Sequence, residues 1–237
     1  MIIKAPDIAE IYVPGQFVNV DCESRHSILK RPISISSVDN EKKNIIIVYR
    51  KVGKGTEALT LKSPGDSVDM IGPLGKGFNI HIKSKNVMIV GGGIGIAPLV
   101  GLTQELHKYN KVISLLGYND IIFIDENIKR SSDEMYVVLE GSGSVKKYPT
   151  DIMHDVIKKH NVDMVYTCGP KIMMNRVKEI CRALSIPLQV SMEARMGCGI
   201  GGCLVCVCKT NNIGGTLYSR VCVDGPVFDG EEVDICE

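Results

Sequence analysis

Apolar residues recur along this chain with two different rhythms. Up to about residue 84 they come in short, alternating or β-branched runs. FVNV (17–20), ISISSV (33–38) and NIIIVYRKV (44–52) fit the two-residue repeat of half-buried strands. DNEKK (39–43) is a polar turn, so the second and third runs predict a hairpin. Pro14-Gly15, Pro64-Gly65 and Gly72-Pro73 read as turns, and TEALTL (56–61) predicts one short helix. Short strands with regular turn signals predict a β-barrel or sandwich.

From about residue 85 the rhythm changes. Strand-like runs at NVMIV (86–90), VISLLGY (112–118), MYVVLEG (135–141), DMVYTCG (163–169) and PLQVSME (187–193) alternate with segments of helical period. The helical segments are LVGLTQELHKY after Pro98, TDIMHDVIKKH (150–160) and KIMMNRVKEICRAL (171–184). Such alternation predicts a parallel α/β sheet of Rossmann-like organisation. Residues 194–237 are rich in Gly and Cys and too few for a core of their own, so something other than apolar burial is expected to hold them. The expected parts are a β-barrel domain over 1–84, an α/β domain over 85–193 and a small lobe over 194–237.

Composition narrows the function classes. A net charge of +1, 5% aromatic residues and no Trp give neither the basic footprint nor the stacking platforms of a nucleic-acid binder. Asn86 to Gln104 is free of charge, but five Gly and one Pro in it argue against a membrane span. MIIKAPDIAE is no basic leader with an apolar run, so a cytoplasmic chain is expected. Nine cysteines in such a chain point to metal or redox chemistry before disulfides.

Four of those cysteines have an informative spacing. Cys198-x4-Cys203-x2-Cys206, then fifteen residues to Cys222, is the plant-type [2Fe–2S] ligand pattern. Gly199, Gly201 and Gly202 let backbone N–H groups pass close to the sulfurs. A zinc ribbon is the alternative; Cys203 and Cys206 make one close pair, but Cys222 has no partner at the matching spacing. Cys208 and Cys236 read as bystanders. The histidines at 26, 81, 107, 154 and 160 show no ligand spacing.

Two further segments suit phosphate. GGGIGIAP (91–98) lies between a strand and a helix, where a phosphate-binding turn belongs. Gly91 and Gly93 fit the first two positions of G-x-G-x-x-G, but Ile96 takes the third, and Lys111 stands where a ribose-binding acid is expected. A turn that needs Gly only for shape is the alternative. Arg31-Pro32-Ile33-Ser34 opens a strand with a guanidinium suited to pyrophosphate, unless Lys30-Arg31 is a solvated basic pair. Val48-Tyr49-Arg50 and then Gly53-x-Gly55-Thr56 add a second Arg and a Gly-rich turn.

RPISI, YR-x-x-G-x-GT, GPLGKGF (72–78), GGGIGIAPL, CGP (168–170) and CGIGGC-x2-C…RVCVDGPVF occur here in one order. In that order the chain resembles the ferredoxin–NAD(P)⁺ reductase superfamily. Within it, the closing motif resembles the electron-transfer subunits of NAD-dependent (class 1B) dihydroorotate dehydrogenases. The resemblance implies FAD on the barrel at Arg31, Pro32, Ile33, Ser34, Val48, Tyr49, Arg50, Gly55 and Thr56. It implies NAD on the α/β domain, with Gly91, Gly92, Gly93 and Gly95 at the pyrophosphate and Cys168, Gly169 and Pro170 near the nicotinamide. Cys198, Cys203, Cys206 and Cys222 become the [2Fe–2S] ligands.

It also implies a partner, an FMN-containing catalytic subunit that oxidises dihydroorotate in pyrimidine biosynthesis, in a two-plus-two heterotetramer. Single electrons then pass through the cluster to FAD, which gives a hydride to NAD⁺. A related diaphorase subunit of a hydrogenase, sulfide or ferredoxin reductase complex is the alternative enzyme, and a zinc-stabilised adaptor the non-enzymatic one. Two departures stand out. Ile33 replaces the Tyr that many members stack on the flavin. Only MIIK precedes APDIAEIYVPGQFV, where the family usually has a strand or more, so the barrel is expected to lack a strand or to have its edge covered by another segment.

Overall fold

The computed structural model describes residues 1–22, 29–139, 148–212 and 215–235. His26, Cys236 and the end of the strand expected over 135–141 lie outside them. The N-terminal part holds β1 (Ile2–Lys4), α1 (Pro6–Ile11), β2 (Phe17–Val20), β3 (Arg31–Asp39), β4 (Asn44–Ile47), α2 (Lys54–Thr60) and β5 (Met70–Leu74). Its strands form one antiparallel sheet, β1-β4-β3-β2-β5, a half-barrel with β1 and β5 at the edges. The expected hairpin is present, with Val38 opposite Ile45 and Asp39 opposite Asn44. Val18, Val20, Ile33, Ile35, Ile45 and Ile47 turn inward onto Leu59 of α2, as their alternation requires.

Two expectations for this part need correction. The third run ends as a strand at Ile47, where it pairs with Ile35 of β3, rather than running on to residue 52. Beyond that point the chain leaves the sheet. Gly72-Pro73 is not a turn but lies inside β5; this is an edge strand, where a missing N–H breaks no ladder. The short N-terminus still contributes, since Ile2–Lys4 supplies the edge strand beside β4, and the sheet remains an open half-barrel.

The second part runs β6 (Asn86–Gly92), a 3-10 turn (Gly93–Ile96), α3 (Leu99–His107), β7 (Lys111–Tyr118), α4 (Asp125–Lys129), β8 (Glu134–Leu139), α5 (Pro149–His160), β9 (Met164–Cys168), α6 (Lys171–Ala183) and β10 (Leu188–Ser191). β11 (Val207–Asn212), β12 (Gly215–Arg220) and β13 (Val227–Asp229) follow. The large sheet has the order β13-β10-β9-β6-β7-β8, parallel except for β13. The uncharged stretch from Asn86 to Gln104 is thus a strand, a turn and most of a helix. Among the described residues no helix is long and apolar enough to cross a membrane.

The C-terminal lobe corrects the expectation that something other than apolar burial holds it. β13 pairs with β10, Val190 opposite Phe228, and so extends the large sheet. Cys206, Val221, Cys222, Phe228, Val233 and Ile235 are buried in one core with Val90, Met174, Val177 and Val190. Phe17 of β2 enters the same core. Each of the Val, Ile, Phe and Met side chains contributes about 1.5–3 kcal/mol on burial. The lobe's own apolar residues are few, but they borrow a sheet.

At the opposite edge, a polar cluster ties β8 to the end of α5. Lys159 donates to Glu134 and to the Tyr136 hydroxyl, both at 2.9 Å, and Tyr136 donates to Glu134 at 2.8 Å. The Nε2 of the buried His160 lies 3.1 Å from the same hydroxyl. The Lys159 bond, then the Tyr136 bond, hold the Glu134 carboxyl down to about 2. A carboxyl depressed on folding stabilises above its ordinary pKa of 4.5 and loses that effect as pH falls toward the folded value. Thermal unfolding of wild type and Glu134→Gln should therefore differ in favour of wild type at neutral pH. The gap should narrow steadily between about pH 5 and pH 3; a gap of constant size would show that the ion cluster is not its source.

Candidate functional site

A cleft of about 420 Å³ opens between the half-barrel and the large sheet. The start of β3 supplies Arg31, Pro32, Ile33 and Ser34, and the segment after β4 supplies Val48, Tyr49, Arg50 and Thr56. The facing wall carries Ile94, Ala97, Pro98 and Cys168. The positions expected at FAD all line this cleft except Gly55, which stands behind it. A Cβ on Gly55 would come within 3.1 Å of Arg31 Nε and 3.3 Å of Cys22 Sγ, so its bareness makes room for the guanidinium. Thr56 Oγ1 accepts from the N–H groups of Val52 and Gly53 at 3.0 and 3.2 Å, fixing the turn that opens α2.

A second cleft of about 400 Å³ lies at the carboxyl ends of β6, β7 and β8. Gly92, Gly93 and Pro170 face it, with Gly117, Tyr118, Asn119 and Arg176. Gly91 and Gly95 serve packing instead. A Cβ on Gly91 would strike Ile96 and Leu99. One on Gly95 would lie 2.5 Å from Gly169 Cα and 2.6 Å from its nitrogen. Gly169, at φ +156, packs in turn on Gly92. Cys168 belongs to the first cleft, where burial pushes its thiol up to about 12 and keeps it neutral.

The sequence reading missed Ser191, Met192 and Glu193, which line the first cleft at the end of β10. The available signal was position, because open parallel sheets gather ligands at the carboxyl ends of their strands. Glu193 is crowded by protein on most sides yet reached by solvent through the cleft, and the crowding raises its carboxyl pKa.

The cysteine loop is built around sulfur. Cys198 Sγ accepts N–H bonds from Ile200 at 3.5 Å and Gly202 at 3.3 Å, and Cys203 Sγ accepts one from Cys198 at 3.4 Å. Gly199 and Gly201 hold the positive φ values, +73 and +85, that turn those groups inward. The Ile200 bond, then hydrogen bonds from Cys203 and the Gly202 bond, hold the Cys198 thiol down to about 6, whereas burial pushes Cys222 and Cys208 up to about 11. The four predicted ligands meet as two side-by-side pairs, Cys198 with Cys203 and Cys206 with Cys222. Among the described residues no three ligand-type side chains close into a single coordination set. Arg220 clamps the loop, donating to Asp224 at 3.1 Å and to the Gly201 carbonyl at 3.4 Å.

Residues 193–234 match the family model described as the iron-sulfur cluster binding domain of dihydroorotate dehydrogenase B. The chain is 40% identical to the dihydroorotate dehydrogenase B (NAD(+)), electron transfer subunit, of Desulforamulus reducens, over 98% of this chain and 91% of the relative. This chain belongs to the dihydroorotate dehydrogenase B electron transfer subunits. Among solved structures, the NADH-dependent reduced ferredoxin-NADP oxidoreductase, described for flavin-based electron bifurcation, is similar to this family member at a TM-score of 0.84 and 33% identity, covering 98% of this chain and 83% of the other. The ferredoxin-NADP⁺ reductase of Plasmodium falciparum shares the fold at a TM-score of 0.58 and 16% identity, over 76% of this chain and 83% of that one.

The close approach of Gly95 to Gly169 gives a direct test of how this subunit builds its second cleft. Gly95→Ala should cost about 1–3 kcal/mol in denaturant unfolding, because one backbone must give way to the added methyl. Gly53→Ala, with no neighbour within 4 Å of the added carbon, should stay within about 0.5 kcal/mol of wild type.

Proposed function

We propose that this chain carries electrons between a dihydroorotate-oxidising flavoprotein partner and NAD⁺. In this reading it holds FAD in the first cleft, NAD(H) in the second and a [2Fe–2S] cluster in the cysteine loop. The observation that carries the reading is convergence. The Arg31–Ser34 segment and Cys168 face each other across one cleft, and the cysteine loop is packed on the strands that form its walls.

Bound together, these groups supply the exchange between single electrons, which the cluster carries, and the hydride pair that nicotinamide accepts, with FAD as the junction. The chain's own residues provide placement. Arg31 and Arg50 offer planar guanidinium groups to a pyrophosphate. Ile33 is a buried aliphatic floor, and the neutral Cys168 thiol brings no charge to the hydride path. The N–H groups of Ile200 and Gly202 stabilise thiolate charge. A two-iron cluster takes two thiolates at each iron. Cys198 with Cys203, and Cys206 with Cys222, are the pairs available for that purpose, and the matched family model speaks for iron and sulfur rather than zinc.

The partner reading rests on exposed apolar side chains of the lobe. Ile200, Leu204 and Val205 of the cysteine loop are 59%, 61% and 56% exposed, and Leu217 and Tyr218 of β12 are 51% and 71% exposed. Such apolar surface on the lobe suits docking of the FMN-containing catalytic subunit in a two-plus-two assembly. The likeness to the ferredoxin-NADP oxidoreductase favours a second reading, in which the same cofactors serve that kind of complex.

Protein purified without oxygen should contain about two irons per flavin. It should reduce dyes with NADH and leave dihydroorotate untouched. Cys222→Ser should lose the iron and keep the flavin; zinc without flavin would refute the cofactor assignment. Tyr218→Asp with Leu204→Asp should abolish co-purification with the catalytic subunit while sparing NADH–dye activity. Co-purification of wild type with a ferredoxin-NADP oxidoreductase component in place of a dihydroorotate-oxidising flavoprotein would favour the second reading.

A further inference from the structure

Asn19 lies in β2 and is only 1% exposed. Its strand neighbours Val18 and Val20 point into the half-barrel core, so Asn19 points the other way, with Phe17. On that face its Nδ2 donates to the carbonyl of Cys198 at 3.1 Å, joining positions 179 residues apart. Its Oδ1 is buried with no hydrogen-bond partner among the described residues. In register, Asn19 sits opposite Pro32 of β3, within the segment that lines the first cleft.

An Asn here is unfavourable on local grounds. Asn is a poor strand former, and a half-matched buried amide is costly relative to an apolar side chain of the same shape. The other side of the contact is equally restricted. A Cβ on Gly199, at φ +73, would come 2.6 Å from Asn19 Nδ2, so the loop approaches as only Gly can. Apolar burial by Phe17 could hold the lobe against β2, but it would not fix one offset between them. A single directional bond to the backbone of the first cysteine does.

We propose that Asn19 is a positioning residue for electron transfer, a tie that sets the cysteine loop at a fixed offset from the Arg31–Ser34 segment. This rests on the cofactor reading above. Its action is indirect: it touches the ligand's backbone, not the reacting atoms. Loosening the tie leaves hydride delivery from NADH to the flavin unchanged and slows the one-electron step between flavin and cluster.

The test uses the full chain with Asn19→Leu and Asn19→Val, neither of which can donate to Cys198. Hydrogen exchange should accelerate about tenfold across residues 197–203, while β6 and β9 keep wild-type protection. In anaerobic stopped-flow with NADH, flavin bleaching should keep its rate, and cluster reduction should slow by about tenfold or more at unchanged iron and flavin content. If Asn19→Leu does not fold, Asn19→Val carries both measurements. Wild-type exchange at 197–203 together with wild-type cluster reduction overturns the proposal, and so does acceleration spread evenly over the chain. The exchange comparison needs no cofactor. Wild-type protein without iron or flavin would therefore sink the cofactor reading while this tie still stood or fell by itself.

Discussion

The pairing of β13 with β10 is the constraint on which the rest depends. The large sheet would otherwise end at β10, and the lobe beyond residue 194 has too few apolar residues to fold alone. Adding β13 meets both needs, because the ladder is extended and Val227 and Phe228 enter the buried layers. The consequence is functional. β12 and the Cys222 turn are delivered to the same end of the sheet as Cys168 and Ser191, beside the half-barrel's cleft. The cysteine loop cannot be far from the Arg31–Ser34 segment unless this ladder opens.

On that frame, local chemistry divides into two kinds of work. Some glycines leave backbone bare at a cleft wall, and others allow close packing. Gly93, with nothing within 4 Å of an added Cβ, does the first; Gly91, Gly92, Gly95 and Gly169 do the second. In the cysteine loop the two uses merge, since the backbone that passes close to Asn19 also turns N–H groups toward Cys198 Sγ. An electron-transfer subunit depends on such precision because its residues place groups rather than react.

Much of this was legible in the sequence. The hairpin of β3 and β4, the alternation from β6 to β10 and the spacing of Cys198, Cys203, Cys206 and Cys222 are local patterns, and local patterns survive in one dimension. The cleft-lining role of Arg31–Ser34 and Val48–Arg50 was legible through order of motifs rather than through any one of them. What escaped notice was long-range. β13 reads as three ordinary residues until β10 lies beside it. Asn19 reads as a polar interruption in a strand until the carbonyl of Cys198, far along the chain, accepts its hydrogen bond. Glu193 and Ser191 lacked a motif and mattered only through their place at a strand's end.

In the proposed function, the cysteine loop and the first cleft hold redox groups in electronic contact within this one chain. The most direct measurement is electron paramagnetic resonance of the anaerobic protein, mixed with NADH and no partner. The account predicts that NADH alone brings up the signal of a reduced two-iron cluster. A bleached flavin beside a cluster that stays oxidised and silent would contradict it.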